Sequence, residues 1–298
     1  VAFAPLLLDS SNIGFILLAL FVAIPAWLVG FSTPVFAWWS YSSSRFHLTT
    51  TRQQGEAMLI AGMLSTFPAI VINSFITPGA VLLLTGGQAS ATLVENITVI
   101  VSAPVGEELC KALAVFSLAG LIDSKKRGFQ VGFTVGLGFA LLENLQYILF
   151  SLFAGELMAF SYGLTTVVRG IGSIPGHAMW TACSGYAIGH IFEQRKQPHR
   201  IPDVKQWNLV NPLNPSPSRF EPSFSSDTSF FSKSSNLQLP TSLPVMLGIA
   251  MFGHAFWNGS SVLMSYMSGN LDPVVGLIAE LTWIVVLIAL LWTFGRFV

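Results

Sequence analysis

The chain has 298 residues, of which 52% are hydrophobic and only 9% are charged, and it contains 24 Phe and 8 Trp. So few charged residues cannot cover a compact soluble domain of this size, and a net charge of zero gives no sign of nucleic-acid binding. The composition therefore predicts an integral membrane protein in contact with the lipid bilayer. Separate apolar stretches of about 20 residues predict an all-α, polytopic transmembrane helical bundle.

Seven apolar segments are long enough to cross the hydrocarbon core of a bilayer as helices. In chain order they are 13–31, 57–76, 97–122, 129–153, 164–194, 244–267 and 273–294. The first has no basic region before it and no small-residue cleavage site after it, so it is expected to be a span rather than a signal peptide. We expect residues 1–298 to form a single integral membrane domain.

The positions of the lysines and arginines predict the orientation of the bundle. Those outside the predicted spans occupy the first, third and fifth connections and the C-terminal end, and the intervening connections have none. Under the positive-inside rule, the N-terminus lies outside and the C-terminus is cytoplasmic. The fifth connection, 195–243, contains seven prolines among many serines, which predicts a cytoplasmic loop without regular structure.

Charged residues interrupt the third predicted span. Glu107 and Glu108 lie with Lys111 in the apolar run SAPVGEELCKALAVFSLAGL. Because an ionised side chain in a bilayer is costly, such residues are kept where something binds or neutralises them. Glu107 and Lys111 are four residues apart and share a helix face, so Lys111 is expected to neutralise one of the two glutamates.

Polar residues of four predicted spans lie at similar depths in the membrane. With a rise of about 1.5 Å per residue from the cytoplasmic end of each span, all of them lie about 15–25 Å above the inner interface. These residues are Glu107, Glu143, His177, His254 and Asn258. The shared depth predicts one polar site inside the bundle.

Carboxylate and imidazole groups from separate helices suit a divalent transition metal, and zinc in particular. Glu143, His177 and His254 are the predicted ligands. A further carboxylate, Glu107 or Glu108, is predicted to accept a proton from water and pass it to a leaving amine. This chemistry is hydrolysis of an amide inside the membrane.

Three further polar residues are expected to assist this site. Asn258 lies one helical turn after His254 and is predicted to donate to a developing oxyanion. Asn144 and Arg169 are expected to hold the metal ligands in place. Arg169 is also expected to form an interhelical ion pair with Glu280 in the seventh span.

Glycine and proline predict how the helices meet. Gly128, Gly132 and Gly136 form a small-residue stripe on the fourth span, which would let a neighbouring helix approach closely beside Glu143. In the third and fifth spans, proline precedes the polar residues by two or three positions, at 104 and 175. A helix start or kink is expected at each of these prolines.

Short motifs resemble a known family. EELCK at 107–111 is similar to EExxK, FALLEN at 139–144 to FxxxEN, and HAFWN at 254–258 to HxxxN, in the order used by the PrsW family of intramembrane metalloproteases. PGHAMWTACSGYAIG at 175–189 resembles that family's additional His-containing helix. The wider relatives, the CAAX prenyl endopeptidases and bacteriocin-processing proteins, have a His where this chain has Glu143.

The resemblance covers about 104–262 and implies a helical membrane protease of a prokaryotic plasma membrane. It also implies a membrane-anchored protein substrate, such as an anti-sigma factor. The residues to which it gives functional roles are Glu107, Glu108, Glu143 and His254. The long connection 195–243 departs from a compact version of the family.

Two other functions are compatible with the same layer of polar residues. A non-catalytic membrane scaffold would use it for structure or for binding a partner in a membrane complex. A proton- or cation-coupled carrier would use it as a relay. A carrier built from inverted repeats should have interrupted spans at matching positions in its two halves, and this sequence has no such pairing.

Overall fold

A computed structural model describes residues 21, 27–46, 48, 50–152, 158–196 and 239–297. Within these ranges the regular structure is helical and no strand is present, as the sequence predicted. The α-helices are α1 (Thr33–Phe46), α2 (Arg52–Val71), α3 (Thr77–Leu84), α4 (Ala91–Ile97), α5 (Ala103–Ser117), α6 (Lys125–Leu152), α7 (Met158–Val168), α8 (Ile174–Lys196), α9 (Leu243–Ser268) and α10 (Pro273–Phe297).

Four of these helices begin directly after a five-residue π-helical segment. The segments are Leu28–Ser32 before α1, Ile72–Ile76 before α3, Thr98–Ser102 before α5 and Arg169–Ser173 before α8. The second residue of the following helix is in each case a proline, at positions 34, 78, 104 and 175. A proline has no N–H to donate and its ring crowds the carbonyl one turn earlier, so a widened turn accommodates it. The helix irregularities expected at residues 104 and 175 are confirmed.

Two helical stretches among the described residues are long and apolar enough to cross a membrane. Arg52–Leu84 joins α2, a π segment and α3, and its apolar 18-residue window has a mean hydropathy of 1.9; the corresponding window of Pro273–Gly295 in α10 reaches 2.6. The count of seven spans and the orientation stay predictions. Most of 13–31 and nearly all of 195–243 lie outside the described residues.

The first connection differs from the predicted loop. Residues Thr33–Phe46 form α1, and α2 begins at Arg52. Thr51 fixes that start with a capping box, because its hydroxyl accepts from Gln54 N at 3.3 Å and the Gln54 side chain accepts from Thr51 N at 3.0 Å. Trp38 of α1 donates to Gly170 O at 3.0 Å and ties α1 to the π segment before α8.

Helix α6 lies at the centre of the bundle and packs mainly against α8 and α2. A Cβ atom at Gly136 would lie 2.4 Å from His177 O, and one at Gly132 would lie 2.5 Å from Thr181 O. On the other face of α6, a Cβ atom at Gly138 would lie 2.1 Å from Leu59 O. Only glycine allows such backbone contact, so the predicted close approach along the small-residue stripe is confirmed, with α8 as the partner.

Apolar side chains fill the rest of this central region. Buried residues of α6 and α8 form one continuous cluster, which includes Phe133, Leu137, Ile174 and Ala178. Glu143 of α6 and His177 of α8 are buried within the same helix pair.

Candidate metal centre

The polar residues of the predicted layer meet at a cavity of about 460 Å³. Its walls come from α2, α4, α5, α6, α8 and α9 and from the three π segments that begin at Ile72, Thr98 and Arg169. The lining includes all five residues of the layer, Glu107, Glu143, His177, His254 and Asn258. The convergence that their shared depth predicted is therefore present in the structure.

Glu108 and Lys111 are fully buried beside this cavity and form an ion pair. Lys111 Nζ lies 2.6 Å from Glu108 Oε1 and 3.8 Å from Glu107 Oε2. The ammonium also lies 4.1 Å from the centroid of the Phe139 ring. The expected neutralisation of a glutamate by Lys111 is confirmed, and Glu108 is the closer partner.

The imidazole of His254 is held on two sides. Its Nδ1 lies 3.1 Å from Glu108 Oε1, and its Nε2 lies 3.9 Å from Glu107 Oε2. The indole of Trp180 stacks on the ring, and Gly253 makes room for it, since a Cβ atom there would lie 2.8 Å from Trp180 Nε1. A carboxylate on one nitrogen leaves the other for a metal, which is the usual arrangement of a histidine ligand.

The imidazole of His177 lies between a cation and a carboxylate. Its Nδ1 lies 2.9 Å from Lys111 Nζ, and its Nε2 lies 3.0 Å from Glu143 Oε2. An ammonium at Lys111 donates to Nδ1, so the proton of the neutral ring is on Nε2 and is donated to Glu143. A metal on Nε2 would need the lone pair of that nitrogen, so the Nε2 proton would leave and Nδ1 would take a proton from Lys111, whose amine would then accept the hydrogen bond.

Arg169 holds the carboxylate of Glu143. Its Nη2 donates to Glu143 Oε2 at 2.6 Å, and its Nε donates to Asn144 Oδ1. The guanidinium also lies 3.6 Å from the centroid of the Tyr147 ring. Glu143, Asn144 and Tyr147 lie on one face of α6, so Arg169 links the π segment before α8 to that face.

The expected ion pair between Arg169 and Glu280 is wrong. Arg169 turns toward α6, whereas Glu280 of α10 accepts a hydrogen bond from Ser268 at the end of α9. The difference arises because a π segment rotates the side chains that it carries, and a regular helical register does not predict this rotation.

Three buried side chains offer a compact donor group. Glu107, His177 and His254 each supply one atom, and these atoms lie within 4.8 Å of one another. Glu107 Oε1 accepts from Asn73 Nδ2 at 3.2 Å, whereas Oε2 is buried and accepts no hydrogen bond from the described residues. One carboxylate oxygen and two imidazole nitrogens are a donor set for a divalent metal, so the residues fit such an ion.

The carboxylate of this group is Glu107, whereas the sequence predicted Glu143. The physical reason is that Arg169 and His177 already engage Glu143 Oε2 within 3.0 Å, whereas the nearest charged groups to Glu107 Oε2, Lys111 and His254, lie 3.8 and 3.9 Å away. Glu143 still lines the same cavity and lies 3.0 Å from one member of the group.

Asn258 lies at the cavity wall one turn beyond His254. Its Nδ2 donates to Val99 O at 3.0 Å, which orients the side-chain amide. Because an amide nitrogen carries two hydrogens, the second remains for a molecule in the cavity.

Sequence reasoning missed three residues that shape the site: Asn73, Tyr147 and Trp180. Asn73 is an amide in the apolar run AIVINSFI, a signal that the sequence does contain. Trp180 follows His177 by three residues and therefore shares its helix face, but the stacking on His254 depends on packing between α8 and α9.

A family model described as PrsW family intramembrane metalloprotease matches residues 54–212, just over half of the chain. The matched residues include Glu107, Glu108, Glu143 and His177, and they end before His254. No curated protein and no solved structure matches the chain significantly.

Proposed function

Since the chain belongs to the PrsW family of intramembrane metalloproteases, we propose that it hydrolyses a peptide bond of a membrane-anchored protein at the cavity described above. The single observation that carries this proposal is the buried Glu107 Oε2, which lacks a hydrogen-bond partner among the described residues and lies in one compact group with His177 and His254. An unpartnered carboxylate oxygen in a buried site is costly unless a cation or a donor binds it.

The metal is proposed to be zinc, held by Glu107, His177 and His254. Two imidazoles and one carboxylate are the ligand set of many hydrolytic zinc sites, which keep a further position open. When bound, a divalent ion polarises the carbonyl of the peptide bond and makes a water molecule more acidic.

Glu143 is proposed to be the proton carrier. Arg169 fixes its carboxylate at the cavity wall. The carboxylate takes a proton from the attacking water, whose oxygen bonds to the peptide carbon. When the C–N bond breaks, Glu143 returns the proton to the leaving amine, so the carboxylate is regenerated.

Glu108 and Lys111 are proposed to be positioning residues. They lie behind the histidines, where Glu108 fixes Nδ1 of His254 and Lys111 fixes Nδ1 of His177. Such partners set which nitrogen of each ring faces the cavity. Asn258 is proposed to donate its second amide hydrogen to the oxyanion that forms on the peptide carbonyl.

The substrate is proposed to be a protein anchored in the same membrane, of the anti-sigma-factor type, in a prokaryotic plasma membrane. Two features support a substrate within the bilayer: the family is intramembrane, and two described helices are apolar enough to cross a membrane. The cavity is enclosed by helices of the same bundle.

The test is cleavage of candidate single-span substrates by the purified protein in lipid vesicles, with metal content measured on the same samples. Glu107→Gln and His254→Ala are each expected to lose bound metal and to lower cleavage at least about 100-fold. Glu56→Gln is the matched control, because Glu56 is half-exposed and, among the described residues, pairs only with Arg52 at the start of α2.

The proposed site is wrong if Glu107→Gln and His254→Ala both retain metal and wild-type cleavage. A folded wild-type protein that binds metal but cuts no candidate substrate would instead favour the non-catalytic scaffold.

A further inference from the structure

An apolar pocket of about 210 Å³ lies between α9 and α10. Its lining includes Ile249, Phe252, Phe256, Leu287, Leu290 and Leu291. Every residue on its walls is apolar or aromatic, in contrast to the charged cavity beside it.

The pocket and the metal-site cavity share two walls. Trp180 and Trp257 line both, and their ring centroids are 6.4 Å apart. Trp180 also stacks on His254 with a centroid distance of 4.6 Å. The pocket is therefore separated from a proposed metal ligand by the thickness of one indole.

Glycines fix both indoles in these positions. A Cβ atom at Gly253 would lie 2.8 Å from Trp180 Nε1, and one at Gly172 would lie 2.6 Å from Trp257 Cη2. Any other residue at either glycine would place its Cβ atom in the space that the tryptophan occupies. Gly253 of α9 and Gly172 of the π segment before α8 therefore allow the two tryptophans to form the shared walls.

The other side of the pocket is open at the surface of the apolar helices. Leu287 and Leu291 form a buried floor, whereas Phe252 is 72% exposed and Leu290 is 49% exposed. Helix α10 is one of the two described stretches apolar enough to cross a membrane, so this opening lies on a surface suited to contact with the hydrocarbon of a bilayer. The volume is below the roughly 300–1,000 Å³ of sites for whole small molecules, and it suits one large side chain.

We propose that this pocket binds a large apolar side chain of the substrate next to the peptide bond that is cut, and that it determines which bond is cut. The inference rests on the proposed function. A membrane-anchored chain that approaches α9 and α10 from the bilayer would place one apolar side chain behind Trp180 and Trp257 while its backbone enters the metal-site cavity. Burial of that side chain would favour cleavage beside it.

The experiment uses single-span reporter proteins in vesicles with the purified full chain. In each reporter, a Phe replaces an Ala at one of the successive positions around the cut, and the products are identified by mass spectrometry. The wild-type protein is expected to cut one Phe reporter at least about tenfold faster than the Ala parent, a usual discrimination by an apolar pocket. Leu290→Trp fills the pocket at its exposed rim and is expected to abolish this preference.

Leu277→Trp is the matched control, because Leu277 is also exposed on α10 but does not line the pocket. It is expected to keep the wild-type preference. Phe256→Ala enlarges the pocket from its exposed side and is expected to shift the preference from Phe to Trp, which keeps the test valid if Leu290→Trp folds poorly.

An unchanged preference in both Leu290→Trp and Phe256→Ala would overturn the inference and leave the proposed function intact. An equal loss on all reporters with a folded, metal-loaded Leu290→Trp protein would also overturn it, because the pocket would then not select a side chain. Absence of cleavage of every reporter by the metal-loaded wild-type protein would overturn the proposed function itself, and this inference with it.

Discussion

The indole of Trp180 lies nearly parallel to the imidazole of His254, with ring centroids 4.6 Å apart and planes 12° apart. Nδ1 of the same imidazole lies 3.1 Å from Glu108 Oε1, and this hydrogen bond restrains rotation of the ring within its plane. Together the two contacts fix both the plane and the direction of the ring. A ligand held in one orientation loses little conformational entropy when a metal binds.

Trp180→Leu is expected to weaken metal binding about tenfold, because His254 then rotates more freely and loses its stacking partner. The measurement is a metal titration of the purified protein in which calorimetry records the heat of binding. Trp292→Leu removes an indole of α10 that lies outside both cavities and should leave the affinity unchanged. Equal affinities of Trp180→Leu and the wild type would show that the stacking does not position His254.

Glu108→Gln is expected to lower the free energy of unfolding by about 3–5 kcal/mol, because Lys111 would remain buried without its closest carboxylate. The double variant Glu108→Gln with Lys111→Met removes the unpaired charge and should recover most of that loss. It should still bind metal more weakly than the wild type, because Nδ1 of His254 has lost its carboxylate. Unfolding in detergent, followed by circular dichroism, compares the three proteins.

Glu108 has two proposed roles: it neutralises the buried Lys111, and it positions His254. Recovery of stability without recovery of metal binding would separate the first role from the second. A single variant as stable as the wild type would contradict the first role. A double variant with wild-type metal affinity would contradict the second.

Much of the site follows from the sequence because the helical rise is constant. Counting residues from the predicted cytoplasmic ends places Glu107, Glu143, His177 and His254 at similar depths, and in the structure all four line one cavity. The glycines of α6 predicted a closely packed neighbour for a similar reason, since a missing side chain permits backbone contact wherever the helix pairs.

The rotation of side chains about the helix axes was not predictable in the same way. Three π segments line the cavity, and each changes the register of the helix that follows it. Arg169 lies in one of them and pairs with Glu143 instead of Glu280. Depth alone therefore could not tell which carboxylate, Glu107 or Glu143, completes the compact donor group.

Glu143→Gln is expected to retain bound metal and to lower cleavage about 10²–10⁴-fold, the usual range for loss of a general base. The amide keeps the size of the side chain and can still accept from Arg169, so the cavity should keep its shape. Metal content and cleavage rate are measured on the same preparation, beside Glu107→Gln. If Glu143→Gln loses the metal and Glu107→Gln keeps it, the two proposed roles must be exchanged.

Gly136→Ala tests whether backbone contact between α6 and α8 sets the geometry of the site. The new Cβ atom would lie 2.4 Å from His177 O, so the two helices must separate locally. Overpacking of this kind usually lowers the free energy of unfolding by about 1–3 kcal/mol, even though alanine is the better helix former. His177 would also move relative to Glu107 and His254, the other members of the donor group, so metal affinity should fall with stability.

Gly248→Ala is the matched control, because, apart from the local backbone of α9 itself, no atom of the described residues lies within 4 Å of the Cβ position at this glycine. It is expected to stabilise the protein by up to about 1 kcal/mol through helix propensity alone. Thermal unfolding in detergent and metal titration report on both variants. Gly136→Ala with stability and metal affinity equal to those of the wild type would mean that α6 and α8 do not need contact at this distance to form the site.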